Sequence, residues 1–260
     1  MPPAINPTPY PYVNAAVKLL LTDVKAILGD YFVGLYLHGS LALGDFNPDR
    51  SDIDFLVVTT RKLAKKIIPR VEKMHANIRQ SGLKLVEKME GAYLTKNAIR
   101  RYKPDNRLHL DYEDKLFFAR NDSNWVINLH VIREHGIVIA GPEPKTLIGA
   151  VSPAKLGQAA RDILVTWWAP MINNSDRMQS GPGYPAYAVD TMCRILYTLH
   201  HGEIVSKPTA ARWALQKIER CWSDLVKQAT TWKIGQPPVG ISEAQQFIKY
   251  TLDKAERYRD

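Results

Sequence analysis

The stretch LYLHGSLALGDFNPDRSDIDFLVVT, Leu35 to Thr59, limits this chain more than any other: two apolar runs of strand length flank a polar loop, and two carboxylates open the second run. On a strand alternate side chains share a face, so Asp52 and Asp54 point one way and Ile53 the other. Two carboxylates at the edge of a core repel each other unless they are well solvated or bridged by a cation. Oxygen ligands on a rigid strand suit Mg²⁺, which takes carboxylates together with substrate phosphate oxygens. Gly39 and Ser40, closing the first run, supply the complement. Glycine lets backbone approach a phosphate, and a serine hydroxyl with nearby N–H groups can donate to it. A lone Asp-x-Asp would read as a polar turn with two exposed aspartates. Preceded by an apolar strand and a Gly-Ser pair, with eleven residues between, it reads as a site for phosphate and metal.

The surrounding pattern is a sheet covered by helices. Val13 to Leu28 is apolar at helical spacing and is followed by Gly29 as a C-terminal cap. Phe32 to Leu37 and Ile53 to Thr59 predict strands, and Leu83 to Thr95 a third whose alternation is broken by Glu87 and Lys88. Arg61 to Arg79 predicts a helix kinked or restarted at Pro69, and Asn124 to Glu134 a helix leading into the apolar run Gly136 to Ala140. AGPEPKTLIGAVSP, Ala140 to Pro153, reads as an inter-domain linker. Beyond it every periodic segment is helical: Ala154 to Trp168, Ala186 to His201, Thr209 to Trp222 and Glu243 to Tyr258. The expected fold is α+β over residues 1–145, a mixed sheet flanked by helices, followed by an all-α bundle over 146–260.

With 260 residues and 45% hydrophobic residues the chain can fill real cores. No run approaches the roughly 18 apolar residues of a membrane span, and the first residues lack the basic flank and apolar core of a signal peptide. A cytoplasmic protein with no membrane partner is expected. Cys193 and Cys221 are too few for a disulfide framework and read as reduced packing residues. The net charge is +9, and residues 61–120 hold 16 Lys and Arg against 7 Asp and Glu. That block suits an anionic partner. Without long basic runs or an aromatic ladder it reads first as a solvated face and second as a nucleic-acid surface. Nothing selects a monomer over a dimer. A P-loop is absent, and the histidines lack the spacing of a zinc site.

The string LHGSLALGDFNPDRSDIDFLVV resembles the signature of the DNA polymerase beta-type nucleotidyltransferase superfamily. The resemblance implies that Asp52 and Asp54 bind the magnesium that carries a nucleoside triphosphate, and that Gly39 and Ser40 touch the triphosphate. It extends to the streptomycin and spectinomycin adenylyltransferases. KMEGAYLT sits in the place of their glutamate-bearing strand, and Glu90 matches their catalytic base. REHGIVIAGPEP, Arg133 to Pro144, resembles their domain-closing segment. RILYTLHHGEIVSKPTAARWAL, Arg194 to Leu215, is similar to a helix-loop-helix in which the lysine matching Lys207 contacts ATP. Those enzymes carry acidic drug contacts just before the helix that begins here near Ala186. This chain has MQSGPGYPAYAVD instead, in which no acid aligns with them.

The implied reaction is attack of an acceptor hydroxyl on the α-phosphorus of ATP with loss of pyrophosphate. Asp52, Asp54 and Glu90 surround Mg²⁺, and Glu90 takes the hydroxyl proton. Spacing alone leaves Glu87 and Glu90 even as the base; the resemblance selects Glu90. Arg194 could meet phosphates or form a helix-surface salt bridge. His38 reads as a core histidine rather than an acid or base, and Trp167, Trp168, Tyr184, Tyr187 and Trp213 mainly as helix packing. The acceptor is a small hydroxyl-bearing molecule, with an aminoglycoside or aminocyclitol antibiotic as the first candidate. Transfer to tRNA or protein, and a nucleotide-binding regulator without turnover, are the alternatives; retention of Glu90 argues against the regulator.

Overall fold

The computed structural model describes residues 6–100, 102, 106–110, 116–120 and 123–257, in two compact units, Met1–Ala150 and Val151–Asp260. In the first, α1 (Pro11–Leu28) leads into β1 (Phe32–Leu37), a single turn α2 (Gly39–Ala42), β2 (Ile53–Thr59), α3 (Ile68–Arg79) and β3 (Met89–Thr95). Then come α4 (Lys96–Arg100), β4 (Asn106–Leu110), β5 (Leu116–Arg120), α5 (Ser123–His135), β6 (Ile137–Ala140) and α6 (Pro144–Leu147). The six strands form one mixed sheet in the order β5-β4-β3-β2-β1-β6. Only β2 and β3 are parallel, joined by the crossover that contains α3; the other neighbours run antiparallel.

The period-two pattern of the central strands sorts their side chains to two cores. Leu35, Leu37, Ile53, Phe55, Val57, Met89 and Tyr93 face α1 and α3, where Val13, Val17, Leu20, Val24, Val71, Met74 and Ile78 are buried. Each such side chain contributes about 1.5–3 kcal/mol on removal from water. Tyr36, Leu56, Val58, Ala92 and Leu94 face the opposite way, onto Ala98, Ile99, Trp125, Leu129, Ile132, Leu147 and Ile148.

The helix expected from Arg61 begins only at Ile68. Pro69, at the start of α3, opens the helix rather than kinking it, because its missing N–H costs nothing in a first turn. The expected linker is also structured. Pro144, Leu147 and Ile148 are buried, the Arg133 Nε–H donates to the Ile148 carbonyl at 3.1 Å, and the Tyr102 hydroxyl to that of Gly149 at 2.6 Å. Residues 146–150 therefore go with the sheet unit.

The second unit is helical: α7 (Pro153–Ile163), α8 (Ser175–Met178), α9 (Tyr184–His201), α10 (Lys207–Lys217), α11 (Ser223–Thr231) and α12 (Ile241–Arg257). α9 is the hub. Its residues Ala186, Ala188, Val189, Met192, Cys193, Ile195 and Leu196 are buried, and α7, α10, α11 and α12 pack around it, as a helix apolar on most sides requires. α7 runs on into a π-helical turn, Leu164–Trp168. The helix expected over Thr209 to Trp222 ends at Lys217, and α11 is a separate helix. Tyr258, the last residue of the expected C-terminal helix, lies outside the described residues. Cys193 is a buried packing residue as expected, whereas Cys221 is exposed, in the short turn between α10 and α11.

Candidate active site

Antiparallel pairing of β1 with β2 sets Leu37 opposite Phe55, and the His38 N–H continues the ladder by donating to the Asp54 carbonyl at 3.0 Å. The chain then turns at Gly39. Its φ of +60° lies in the left-handed region that favours glycine, and the space on its Cα is already taken. A Cβ there would lie inside contact distance of Asp54 Oδ2 and 2.8 Å from Asp54 Cγ. The Gly-Ser pair and the second aspartate of the Asp-x-Asp are thus packed together. Ser40 follows, partly exposed, in the one-turn α2, which packs against α5 and β2.

On the other side of β2, the parallel register pairs Asp54 with Glu90, so the two residues are neighbours on adjacent strands, which lie about 4.8 Å apart. Both share the face of Leu56, Val58, Ala92 and Leu94, and both are partly exposed where their strands begin. Asp52, one residue before β2, is also partly exposed. Glu87 stands elsewhere: it is exposed, in a short turn over Val86–Lys88 that precedes β3. The alternation rule that left Glu87 and Glu90 even does not apply, because only Glu90 is on the strand.

Lys88 explains the break in that alternation. Its ammonium donates to the Pro48 carbonyl at 2.8 Å and ties the loop before Asp52 to the turn before Glu90. The loop is further closed by Ser51, whose N–H donates to the Asn47 carbonyl at 2.7 Å and whose hydroxyl accepts from the Asn47 N–H at 3.0 Å. The Lys88 contact is not legible in the sequence, since it depends on the fold bringing Pro48 to the foot of β3.

His38 is 5% exposed and stands edge-on to Trp125 of α5, with ring centroids 6.1 Å apart. Burial lowers its pKa to about 4, opposed by a hydrogen bond with the Phe55 backbone, so it is neutral at physiological pH. It matches the expected core histidine.

Among the described residues no group of three or more His, Cys, Asp or Glu side chains forms a ready-made metal cage. Three like charges have no reason to close on one another unaided. The donor set nevertheless fits magnesium. Asp52 and Asp54 offer hard oxygen ligands, the Asp54 carboxylate in the space that Gly39 leaves, and Mg²⁺ commonly takes one or two carboxylates and completes its shell with phosphate and water. Asp52 and Asp54 would hold it, with Glu90 alongside.

In the helical unit Lys207 is the first residue of α10, after Ser206, whose side chain accepts from the Thr209 N–H as N-cap. The Lys207 Nζ lies 3.9 Å from the ring centroid of Tyr187. Arg194 lies on α9, seven residues beyond Tyr187 and so on the same side of that helix. Asp190, also on α9, is buried and accepts a hydrogen bond from the Thr230 hydroxyl at 3.1 Å. It is turned into the bundle rather than offered to a cationic ligand.

Known families account for both units. The family described as nucleotidyltransferase domain matches residues 17–108, and the family described as aminoglycoside adenylyltransferase, C-terminal domain, matches residues 146–255. The chain thus carries a nucleotidyltransferase domain followed by the C-terminal domain of the aminoglycoside adenylyltransferases. A spectinomycin 9-adenylyltransferase of Campylobacter jejuni is 26% identical, with 84% of each chain covered. An aminoglycoside (3'') (9) adenylyltransferase of Klebsiella pneumoniae is 23% identical over 92% of this chain and 93% of that one. Among solved structures, the spectinomycin adenyltransferase AAD(9) from Enterococcus faecialis, with ATP and spectinomycin, superposes with a TM-score of 0.75 at 17% identity, covering 93% of this chain and 98% of that one. At that identity the likeness speaks for the fold of this nucleotidyltransferase.

Proposed function

We propose that this nucleotidyltransferase moves AMP from ATP to a hydroxyl of a small molecule and releases pyrophosphate, with a spectinomycin-type aminocyclitol or an aminoglycoside as acceptor. The register that sets Glu90 beside Asp54, with Gly39 against the Asp54 carboxylate, carries the reading. The relatives' named acceptors and the ATP held by the Enterococcus protein support the choice of co-substrates.

Bound magnesium would supply electrostatic stabilisation of charge on the triphosphate. Asp52 and Asp54 anchor it, and the turn at Gly39 and Ser40 offers N–H groups and a hydroxyl to the phosphates. Glu90 accepts the acceptor's hydroxyl proton as the new oxygen–phosphorus bond forms and the bond from the α-phosphorus to pyrophosphate breaks. A base so placed contributes roughly 10²- to 10⁴-fold. Lys207 offsets triphosphate charge.

The test is pyrophosphate release with ATP and Mg²⁺ against a panel of spectinomycin, streptomycin and neutral sugars. Turnover of at least one acceptor well above that of D54A is expected; a panel that gives none overturns the reading. A macromolecular acceptor is favoured by one observation. Arg61, Lys62, Lys65, Lys66, Arg70 and Lys73 are all exposed within thirteen residues that hold one acid, Glu72. Transfer of labelled AMP to tRNA, with binding that falls steeply with salt, would select it.

A further inference from the structure

An ammonium at the first position of a helix stands where aligned peptide dipoles place positive partial charge, the least favourable end for a cation. Lys207 occupies that position in α10, and the first turn holds no acidic residue to offset it. Its ammonium lies over the face of Tyr187, which carries the negative side of the ring quadrupole. The ring is itself fixed. It packs on Trp168 at 5.6 Å and on Tyr184 at 5.7 Å between centroids. Trp168 is 1% exposed and closes the π-helical turn at the end of α7. Tyr187 remains 42% exposed, so its outer side is open while its orientation is set from below. Such π turns recur where a helix presents a side chain for use.

We propose that Tyr187 is a positioning residue for ATP: its braced ring holds the Lys207 ammonium in place before the triphosphate arrives. The inference rests on the assignment of Lys207 to ATP made above. A free lysine loses substantial rotamer freedom when it grips a phosphate. A ring that already restrains it removes part of that loss, worth a factor of about two to five in binding, the range of an exposed cation–π contact. The ring, not the phenol hydroxyl, is the working part.

The experiment is calorimetric titration of the full chain with a non-hydrolysable ATP analogue and Mg²⁺, for wild type, Y187F, Y187L, K207A and Y187L/K207A. Y187F should match wild type, Y187L should weaken binding about two- to five-fold, and K207A about tenfold or more. Adding Y187L to K207A should cost nothing further, because the ring acts only through the lysine. A silent Y187L beside a weakened K207A overturns the inference and leaves the ATP site standing. Equal losses from Y187L in both backgrounds overturn it too, since the ring would then act on the nucleotide directly. A silent K207A removes the ATP assignment and the inference together. Loss in Y187F as severe as in Y187L would show that the hydroxyl, not the ring face, matters.

Discussion

Gly39→Ala separates the fold from the site more cleanly than any other single change. The backbone at Gly39 has φ +60°, where an L-residue costs roughly 1–2 kcal/mol. For a chain of this size that corresponds to a melting temperature lower by about 2–8 °C, since each kcal/mol shifts it by about 2–4 °C. The added methyl would also stand inside contact distance of Asp54 Oδ2 and 2.8 Å from Cγ. That carboxylate is the free end of a short side chain, so it can rotate aside and let the protein fold. The distortion then falls on the carboxylate proposed to hold magnesium. A displacement of about 1 Å in such a group costs on the order of 100-fold in rate. The expected result is a folded G39A with a modest loss in melting temperature and at least a 100-fold loss in kcat by pyrophosphate release. A G39A enzyme that shows the thermal loss yet keeps kcat within tenfold of wild type would refute the idea that Asp54 must sit where Gly39 leaves room for it.

Glu90→Gln should lower kcat by about 10²- to 10⁴-fold and leave binding of an ATP analogue intact, while Glu87→Gln, at an exposed position, changes little; comparable losses in the two would contradict the assignment of the base. Chelation with EDTA should abolish turnover and added Mg²⁺ restore it, so activity that persists in EDTA would remove the metal from the reaction. His38 and His75, both buried, have pKa values lowered by burial to about 4 and about 3. Between pH 6.5 and about 4 the unfolded chain takes up protons that the folded chain refuses. Stability complete above pH 6.5 is therefore lost as pH falls, by up to about 1.4 kcal/mol per pH unit for each histidine. Melting temperatures measured from pH 7.5 to 5 should decline, and His75→Phe should flatten the slope; no decline in wild type would sink the argument.

The β1-loop-β2 unit and its paired aspartates were legible because strand periodicity is local and the Gly-Ser and Asp-x-Asp pairs stand at strand ends, where position follows from pattern. The two-unit division was legible from the change to helix-only spacing. Other features depend on contacts between distant residues. Sequence spacing could not separate Glu90 from Glu87, because β3 starts at Met89 and the turn before it has no strand alternation. Lys88 looked like a flaw in a strand until Pro48 supplied its partner. β4 and β5 were not read at all, and part of the basic block from Arg61 to Arg120 lies outside the described residues. Pro and Gly make residues 140–153 look like a linker, whereas the hydrogen bonds that hold Ile148 and Gly149, just after α6, come from the distant Arg133 and Tyr102. Tyr187 read as packing because a sequence does not say which side of a helix another helix leaves open.

The parallel pairing of β2 with β3 has a consequence for descent. Residues 60–88 only have to bring the chain back alongside, so this excursion can lengthen, shorten or exchange its charges while the acid at the start of the returning strand stays beside its counterpart. Lineages of this architecture are therefore free to remodel that outer segment for new neighbours or solubility. A search that demands a constant interval between the aspartates and the glutamate will miss true kin.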